Sequence, residues 1–325
     1  MFNNKTILIT GGTGTFGKNF IKYLLKNYQA KKIIIFSRDE MKQWNMNKEF
    51  HNSKLRFFIG DIRDKNRLHR ALNKVDFVVH AAAQKIVPTA EYNPFECIKT
   101  NIIGAMNLVD ACIDNKISKL IALSTDKASA PINLYGATKL VSDKIFVSGN
   151  SYSINTKFAV VRYGNVMGSR GSVIPYFLSL PQNKKIPITH TEMTRFMISI
   201  EDGIQTVIDG FKYMSGGEIF IRKSPSMKVT DIVKATNPNS DIKIIGIRDG
   251  EKIHEQMISI EESPFTFENK KYYVIDKSGK INKNNSKIFK KSPINLVYSS
   301  DRNKDWMTIS QLKAWIKRNK NFLIQ

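Results

Sequence analysis

The sequence predicts an α/β protein, with one doubly wound parallel sheet and a smaller mixed region towards the C-terminus. Three observations carry this expectation. Short apolar runs at 5–10, 32–36, 54–59, 75–79, 118–124 and 157–162 alternate with stretches of helical spacing. Such alternation builds a parallel sheet with helices on both faces. The first run, Ile7-Leu8-Ile9-Thr10, passes directly into Gly11-Gly12-Thr13-Gly14-Thr15-Phe16-Gly17. A glycine turn between a strand and a helix lets backbone approach a pyrophosphate at the helix N-terminus, the Rossmann-type arrangement. Beyond about residue 165 the alternation fades into loops marked by Pro175, Pro181, Pro187 and Gly216-Gly217. We therefore expect a dinucleotide-binding domain over 1–165, to which some later segments return, and a smaller substrate-binding region over 166–325.

Taken in order, the elements carry further signals. The second run ends in Ser37-Arg38 rather than a lone acid. A carboxylate there favours the ribose hydroxyls of NAD, whereas Ser and Arg welcome a 2′-phosphate, so NADP is the expected cofactor. Asp39 works against that reading, and Lys42 adds to the positive field. Asp61-Ile62, after the third run, is placed to meet adenine. Ala81-Ala82-Ala83, after the fourth, either passes close under the cofactor or simply packs. Asn93 before Pro94 fits an N-cap followed by proline at the first helical position, with a helix running towards Cys112. Leu120–Leu123 reads as a buried strand ending at Ser124-Thr125-Asp126-Lys127. Tyr135 and Lys139, four apart, share a helix face. A further helix is expected near 229–235, an exposed loop over 277–292, and a final helix with Leu312, Trp315 and Ile316 on one side.

Composition narrows the function classes. A hydrophobic share of 42% over 325 residues supports a full core. No apolar run approaches the ~20 residues of a membrane span. The N-terminus goes straight into a strand, so no secretory leader is expected. Cys97 and Cys112 are the two cysteines, too few for a disulfide framework, and the expected compartment is the cytoplasm. The net charge of +23 comes mostly from scattered lysine, without a basic helix or an aromatic stacking platform. That pattern fits solvated charge and an anionic small-molecule pocket, not nucleic acid. No Cys/His or multi-carboxylate spacing points to a metal.

Tyr135 and Lys139 have a mechanical logic after a dinucleotide turn. A phenol with a pKa of ~10 is a poor base at neutral pH, and a neighbouring ammonium favours the phenolate. Tyr135 would then take a hydroxyl proton while hydride leaves the same carbon.

These residues bring a resemblance into view. The chain resembles the extended short-chain dehydrogenase/reductases, and among them the inverting UDP-N-acetylglucosamine 4,6-dehydratases (5-epimerising) that open pseudaminic acid biosynthesis. The matching segments include Ile7–Gly17, Ser37-Arg38-Asp39-Glu40, His80–Ala83, Ala90–Asn101, Ala122–Lys139, Val161–Ser172, Met193–Phe196 and Gly246–Glu255. Thr125-Asp126-Lys127 with Tyr135 is the most specific part, since ordinary sugar epimerases lack the Asp-Lys pair.

The resemblance implies a hydro-lyase that acts on UDP-N-acetylglucosamine with tightly bound NADP in an internal hydride cycle. Tyr135 would take the C4 hydroxyl proton, and Lys127, with a lowered pKa, would remove the C5 proton. Asp126 would protonate the departing C6 hydroxyl, and Thr125 would bond the C4 oxygen. It implies Glu40, Lys85 and Val166 beside the cofactor, and Lys85, Lys127 and Asn165 on the substrate. The two phosphates of a UDP-sugar call for convergent arginines, for which Arg170, Arg195 and Arg248 are candidates beside Asn165; Arg195 and Arg248 would be the diphosphate clamps, and Glu251 would hold the uridine ribose, with His254 on the same helix face. It also implies a homo-oligomer, a dimer or larger. Gln84, Ile86, Met197 and Asp249 depart from the family pattern. The competing readings are a retaining 4,6-dehydratase or a 4-epimerase on the same fold, and a non-catalytic dinucleotide-binding regulator.

Overall fold

The computed structural model describes residues 1–181 and 184–323. Gln182, Asn183, Ile324 and Gln325, all within the expected second region, lie outside the described residues. Six strands form the centre: β1 (Thr6–Thr10), β2 (Lys32–Ser37), β3 (Leu55–Ile59), β4 (Phe77–His80), β5 (Lys119–Thr125) and β6 (Lys157–Tyr163). They lie in the order β3-β2-β1-β4-β5-β6 and pair in parallel throughout. This is the doubly wound order, which reverses between β1 and β4 and opens a crevice at the strands' carboxyl ends.

The period of two in a strand explains the sandwich. Ile7 and Ile9 face Phe20, Leu24 and Phe211 on one side of the sheet. Leu8 faces Leu68, Leu108, Cys112 and Phe146 on the other. Both faces are covered, so each strand is apolar along its length. The first helix, Thr15–Asn27, buries Phe20, Ile21 and Leu24 at helical spacing.

Later segments extend this sheet. Ile219–Arg222 runs parallel beside β6, followed by Tyr272–Ile275, Thr266–Glu268 and Lys290–Lys291, each antiparallel to its inner neighbour. A separate three-stranded sheet, Ser226–Lys228, Thr194–Ile198 and Asn165–Val166, supports the other side of the crevice. Met193, Ile232, Val233, Leu312 and Trp315 share a core there. The helices expected near 229–235 and around Trp315 are Val229–Thr236 and Ile309–Arg318, the latter opened by a Thr308–Gln311 capping box.

Two expectations change. A helical path does run from Pro94 to Asp114, through a stretch of wider π-type winding at Lys99–Ile103. Asn93 precedes it, but its side chain makes no cap. The preceding short helix, Val87–Tyr92, ends at Asn93, whose amide instead donates to the Thr89 carbonyl at 3.2 Å. Residues 277–292 are not simply an exposed loop. They contain a turn of helix, Lys280–Asn285, and the edge strand Lys290–Lys291, with Ile281 and Phe289 buried. The Asp276 carboxylate organises the entry by accepting the backbone N–H groups of Ser278 and Ile281 at 2.8 and 2.7 Å. No helix among the described residues is long and apolar enough to cross a membrane.

Candidate active site

A cleft of about 1210 Å³ lies along the carboxyl ends of β1, β4, β5 and β6 and beneath residues 245–255. At its floor, Gly11 has φ +63°, and a Cβ there would sit 2.8 Å from the Ala81 carbonyl oxygen. A Cβ on Gly17 would lie 2.5 Å from Gly12 Cα. Only glycine leaves this approach open. Thr13, Gly14, Thr15 and Phe16 line the same turn. The Thr13 and Ser37 hydroxyls bond each other at 2.8 Å. Ala81 and Ala82 pack their backbone closely against Gly11 and, with Ala83, line the cleft.

Around the end of β2, Arg38 is exposed and stands 3.6 Å from Asp61. Asp61 is engaged more closely by Arg63, at 2.7 Å. Burial tends to raise the Asp61 pKa, but Arg63 and Arg38 outweigh it and hold the carboxyl below its ordinary value. Asp39 caps the Glu40–Phe50 helix, accepting the Lys42 backbone N–H at 2.9 Å and pairing with the Lys42 ammonium at 2.7 Å. Its carboxylate is therefore spent locally. Ile62 and Lys42 line the cleft, whereas Glu40 is exposed and outside it. The residue types and the glycine cradle fit an adenine dinucleotide.

The catalytic candidates come together where β5 ends. Thr125 leaves the sheet, and a tight turn over Asp126–Ala128 follows. The Thr125 hydroxyl donates to Asp126 Oδ1 at 3.0 Å and accepts the Lys127 backbone N–H at 3.3 Å. Lys127 Nζ lies 3.2 Å from Asp126 Oδ1 and 2.9 Å from Glu255 Oε1. The Leu134–Ser148 helix then enters under an Asn133 cap, whose Oδ1 accepts the Gly136 N–H at 2.7 Å. It carries Tyr135 and Lys139 into the same cleft.

The electrostatics differ from the expectation in two respects. Burial would lower the Lys127 pKa, but the Asp126 and Glu255 carboxylates outweigh it and hold the ammonium above its ordinary value. The protein's own groups thus keep Lys127 charged, where a free base would need the opposite. Burial pushes Asp126 up, partly opposed by Lys127 and helped by Glu255. Tyr135 is pushed up to about 12 by burial, with Lys127 and the Thr125 hydroxyl working the other way. Lys139 donates to the Leu123 carbonyl at 2.8 Å, so Lys127 is the cation that acts on the phenol. Burial lowers the Lys139 pKa, opposed by Asp143.

On the far side of the cleft the expected clamps divide. Asn165, Val166, Arg170, Arg195, Arg248 and Glu251 all line it. Lys85 donates to the Arg170 carbonyl at 3.0 Å, and burial followed by Arg170 lowers its pKa. Arg195, however, is buried, and its guanidinium donates to the carbonyls of Thr194, Ile253 and Lys252 at 2.8, 2.9 and 3.0 Å. It tethers a loop instead of standing free for a phosphate. Arg248 is 61% exposed and makes a two-point pair with Glu251, both contacts at 2.9 Å. No helix forms over 251–255. His254 turns away to the Thr194 hydroxyl at 2.8 Å.

Sequence reading missed Glu255. It is 1% exposed, and its backbone N–H donates to Ser300 Oγ at 2.9 Å. Lys252 was missed as well, and its ammonium donates to the Ser129 carbonyl at 2.8 Å. Nothing local separates Glu255 from Glu251 or Glu262. Only the docking of 252–255 against Thr194–Ile198 and the 126–128 turn buries it.

Comparison with known proteins places these features in context. The profile of the polysaccharide biosynthesis protein family matches residues 7–277. A Campylobacter jejuni protein named UDP-N-acetylglucosamine 4,6-dehydratase (inverting) is 54% identical over 99% of this chain and 100% of its own length. A Rickettsia bellii protein named UDP-glucose 4-epimerase is 44% identical over 86% of this chain and 85% of its own. The X-ray structure of Pen from Bacillus thuringiensis superposes with a TM-score of 0.90 at 36% identity, covering 99% of both chains.

Proposed function

The chain belongs to the polysaccharide biosynthesis protein family, and from that premise we propose that it is an inverting UDP-N-acetylglucosamine 4,6-dehydratase, a hydro-lyase. The observation that carries the reading is the Asp126–Lys127 pair beside Tyr135 in one cleft, with Lys127 held between two carboxylates. Full-length likeness to the Campylobacter jejuni dehydratase supports it over epimerisation. Residues 1–165 hold the dinucleotide in this reading, and residues 166–325 supply most of the substrate side.

The cofactor is NADP, held by Gly11–Gly17, Ser37, Arg38 and Lys42. With Asp39 committed to its helix cap and to Lys42, no carboxylate is left at that position for a ribose 2′-hydroxyl, while Arg38 is exposed to meet a phosphate. When bound, that cofactor would supply reversible hydride transfer at C4 and C6, with no net reduction expected.

The chain's own residues move the protons. Tyr135 first gives its own proton to solvent, a loss that Lys127 and the Thr125 hydroxyl favour against burial, and as phenolate takes the proton of the C4 hydroxyl, with Thr125 bonded to the same oxygen. The resulting ketone acidifies the C5 hydrogen. In the resting protein Lys127 is an ammonium and Asp126 a carboxylate. Transfer of one proton across the 3.2 Å contact gives an amine and a carboxylic acid, the pair that elimination needs. A bound sugar that excludes water favours this neutral pair over the ionic one. The Lys127 amine then takes the C5 proton as Asp126 protonates the departing C6 hydroxyl, which leaves as water. Both side chains return to their resting charges. Solvent protonates C5 from the opposite face, which balances the proton that Tyr135 released and gives inversion.

The test is incubation with UDP-N-acetylglucosamine and NADP⁺ in deuterated water. A 4-keto-6-deoxy product with inverted C5, deuterium at C5 and no net NADPH is expected. Lys127→Ala should slow formation of that product by about a hundredfold or more. Undiminished dehydration in that variant, or a 4-epimer as the product, overturns the reading.

A further inference from the structure

Glu255 touches the proposed acid–base pair but has no part in the reaction as written. Its Oε1 is 2.9 Å from Lys127 Nζ and 3.8 Å from Arg195 Nε. Its Oε2 is buried and, among the described residues, makes no hydrogen bond. Asp126 Oδ2 is in the same condition. A buried, half-satisfied carboxylate is costly, and a second one across the same ammonium is costlier. The cluster persists because the Lys127 and Arg195 cations balance the two carboxylates. The charges facing Glu255 come from every element packed on it: Lys127 and Asp126 from the turn after β5, Arg195 from Thr194–Ile198, and Lys252 from its own segment.

We propose that Glu255 is a positioning residue: its carboxylate anchors the Lys127 ammonium and keeps the shared proton on the Lys127–Asp126 pair into alkaline pH. The inference rests on the dehydratase reading above and deepens it. Elimination requires one proton on the pair, on nitrogen at rest and on Asp126 at the moment of water loss. Loss of that proton to solvent leaves an amine without an acid, and the C6 hydroxyl cannot depart. A negative charge 2.9 Å from Nζ opposes that loss. Glu255 therefore sets how far into alkaline pH the pair stays loaded.

Glu255→Gln keeps the shape and the hydrogen-bond acceptor but removes the charge. The measurement is the pH profile of kcat for the NADP-loaded enzyme. Its alkaline limb should move to lower pH by at least about one unit. KM for the sugar nucleotide should change by less than about threefold, because Glu255 acts through Lys127. Glu255→Asp restores the charge and should return most of the limb towards its original place. An NMR titration of lysine side-chain methylenes reads Lys127 directly, without turnover, and should show the same downward shift in Glu255→Gln. An unmoved limb together with an unmoved Lys127 titration overturns the proposal, as does a limb that Glu255→Asp fails to restore. If the wild-type enzyme forms no dehydrated sugar, the reaction reading falls, while the titration still decides whether Glu255 holds the Lys127 proton.

Discussion

Arg195 spends its guanidinium on the Thr194, Ile253 and Lys252 carbonyls, so its loss should be felt in folding before it is felt in phosphate binding. Arg195→Met leaves the Lys252 carbonyl without its donor, since the Ile253 and Thr194 carbonyls keep the Thr194 N–H and the Ser300 hydroxyl, and it removes a cation facing Glu251 and Glu255. A buried acceptor left without its donor costs roughly 1–3 kcal/mol, so stability should fall by about that amount, read from the urea midpoint. A stable variant with KM raised tenfold or more would instead make Arg195 a diphosphate clamp. At this scale the sequence is legible where function depends on local spacing. Tyr135 and Lys139 four apart, and Thr125-Asp126-Lys127 at a strand end, reach one cleft because a strand and a helix fix them there. Glu255 and the committed state of Arg195 are illegible, because their environment comes from segments about 60 to 130 positions away in the chain. The charge state of Lys127 is misjudged for the same reason: without Glu255, burial alone predicts a lowered pKa.

Phe289 decides whether the lysine-rich stretch near the C-terminus is an element or a loop. It is 1% exposed, meets Tyr213 edge-on at 5.6 Å between ring centres, and joins the core on the face of the sheet that also holds Phe211. Phe289→Ala should therefore cost about 3–5 kcal/mol, measured by denaturant unfolding. An exposed loop position would cost within about 0.5 kcal/mol. The six main strands were legible because each is a short apolar run that must be covered on both faces. The 277–292 segment was not, because Ile281 and the adjacent Ile288-Phe289 stand among lysines and asparagines, with no period for a pattern to show. What orders them is Asp276, whose carboxylate collects the backbone N–H groups at the entry to the turn. The Asn93 cap fails for a related reason. A cap signal is local, and a helix that ends on the same residue competes for its side chain.

Across the whole molecule, β4 joins the dinucleotide crevice to the middle of the sheet, and His80 at its end carries a pH dependence for the entire fold. Its Nδ1 bonds the Thr10 hydroxyl at 2.7 Å, and its ring packs against Phe146. Burial, helped by the positive Lys139, lowers its pKa from 6.5 to about 3. Above about 6.5 the imidazole is neutral in both folded and unfolded chains, and its burial has no linkage cost. As pH falls below that value, the unfolded chain takes up a proton that the folded one refuses. Stability is therefore lost, by up to about 1.4 kcal/mol per pH unit, until the pH nears the folded value. Other groups also titrate in this range, so the wild-type curve alone does not isolate the histidine. His80→Asn offers the Thr10 hydroxyl a polar partner but cannot take up the proton. It should be less stable than wild type at neutral pH, and the gap between the two urea-unfolding free energies should narrow steadily from pH ~6.5 towards 4. Parallel curves would mean that His80 charges in place, with the interior around β1 and β4 open to water. A converging pair would mean that the crevice floor stays dry as the pH falls, the condition under which the acid–base groups at the neighbouring end of β5 keep their unusual proton affinities.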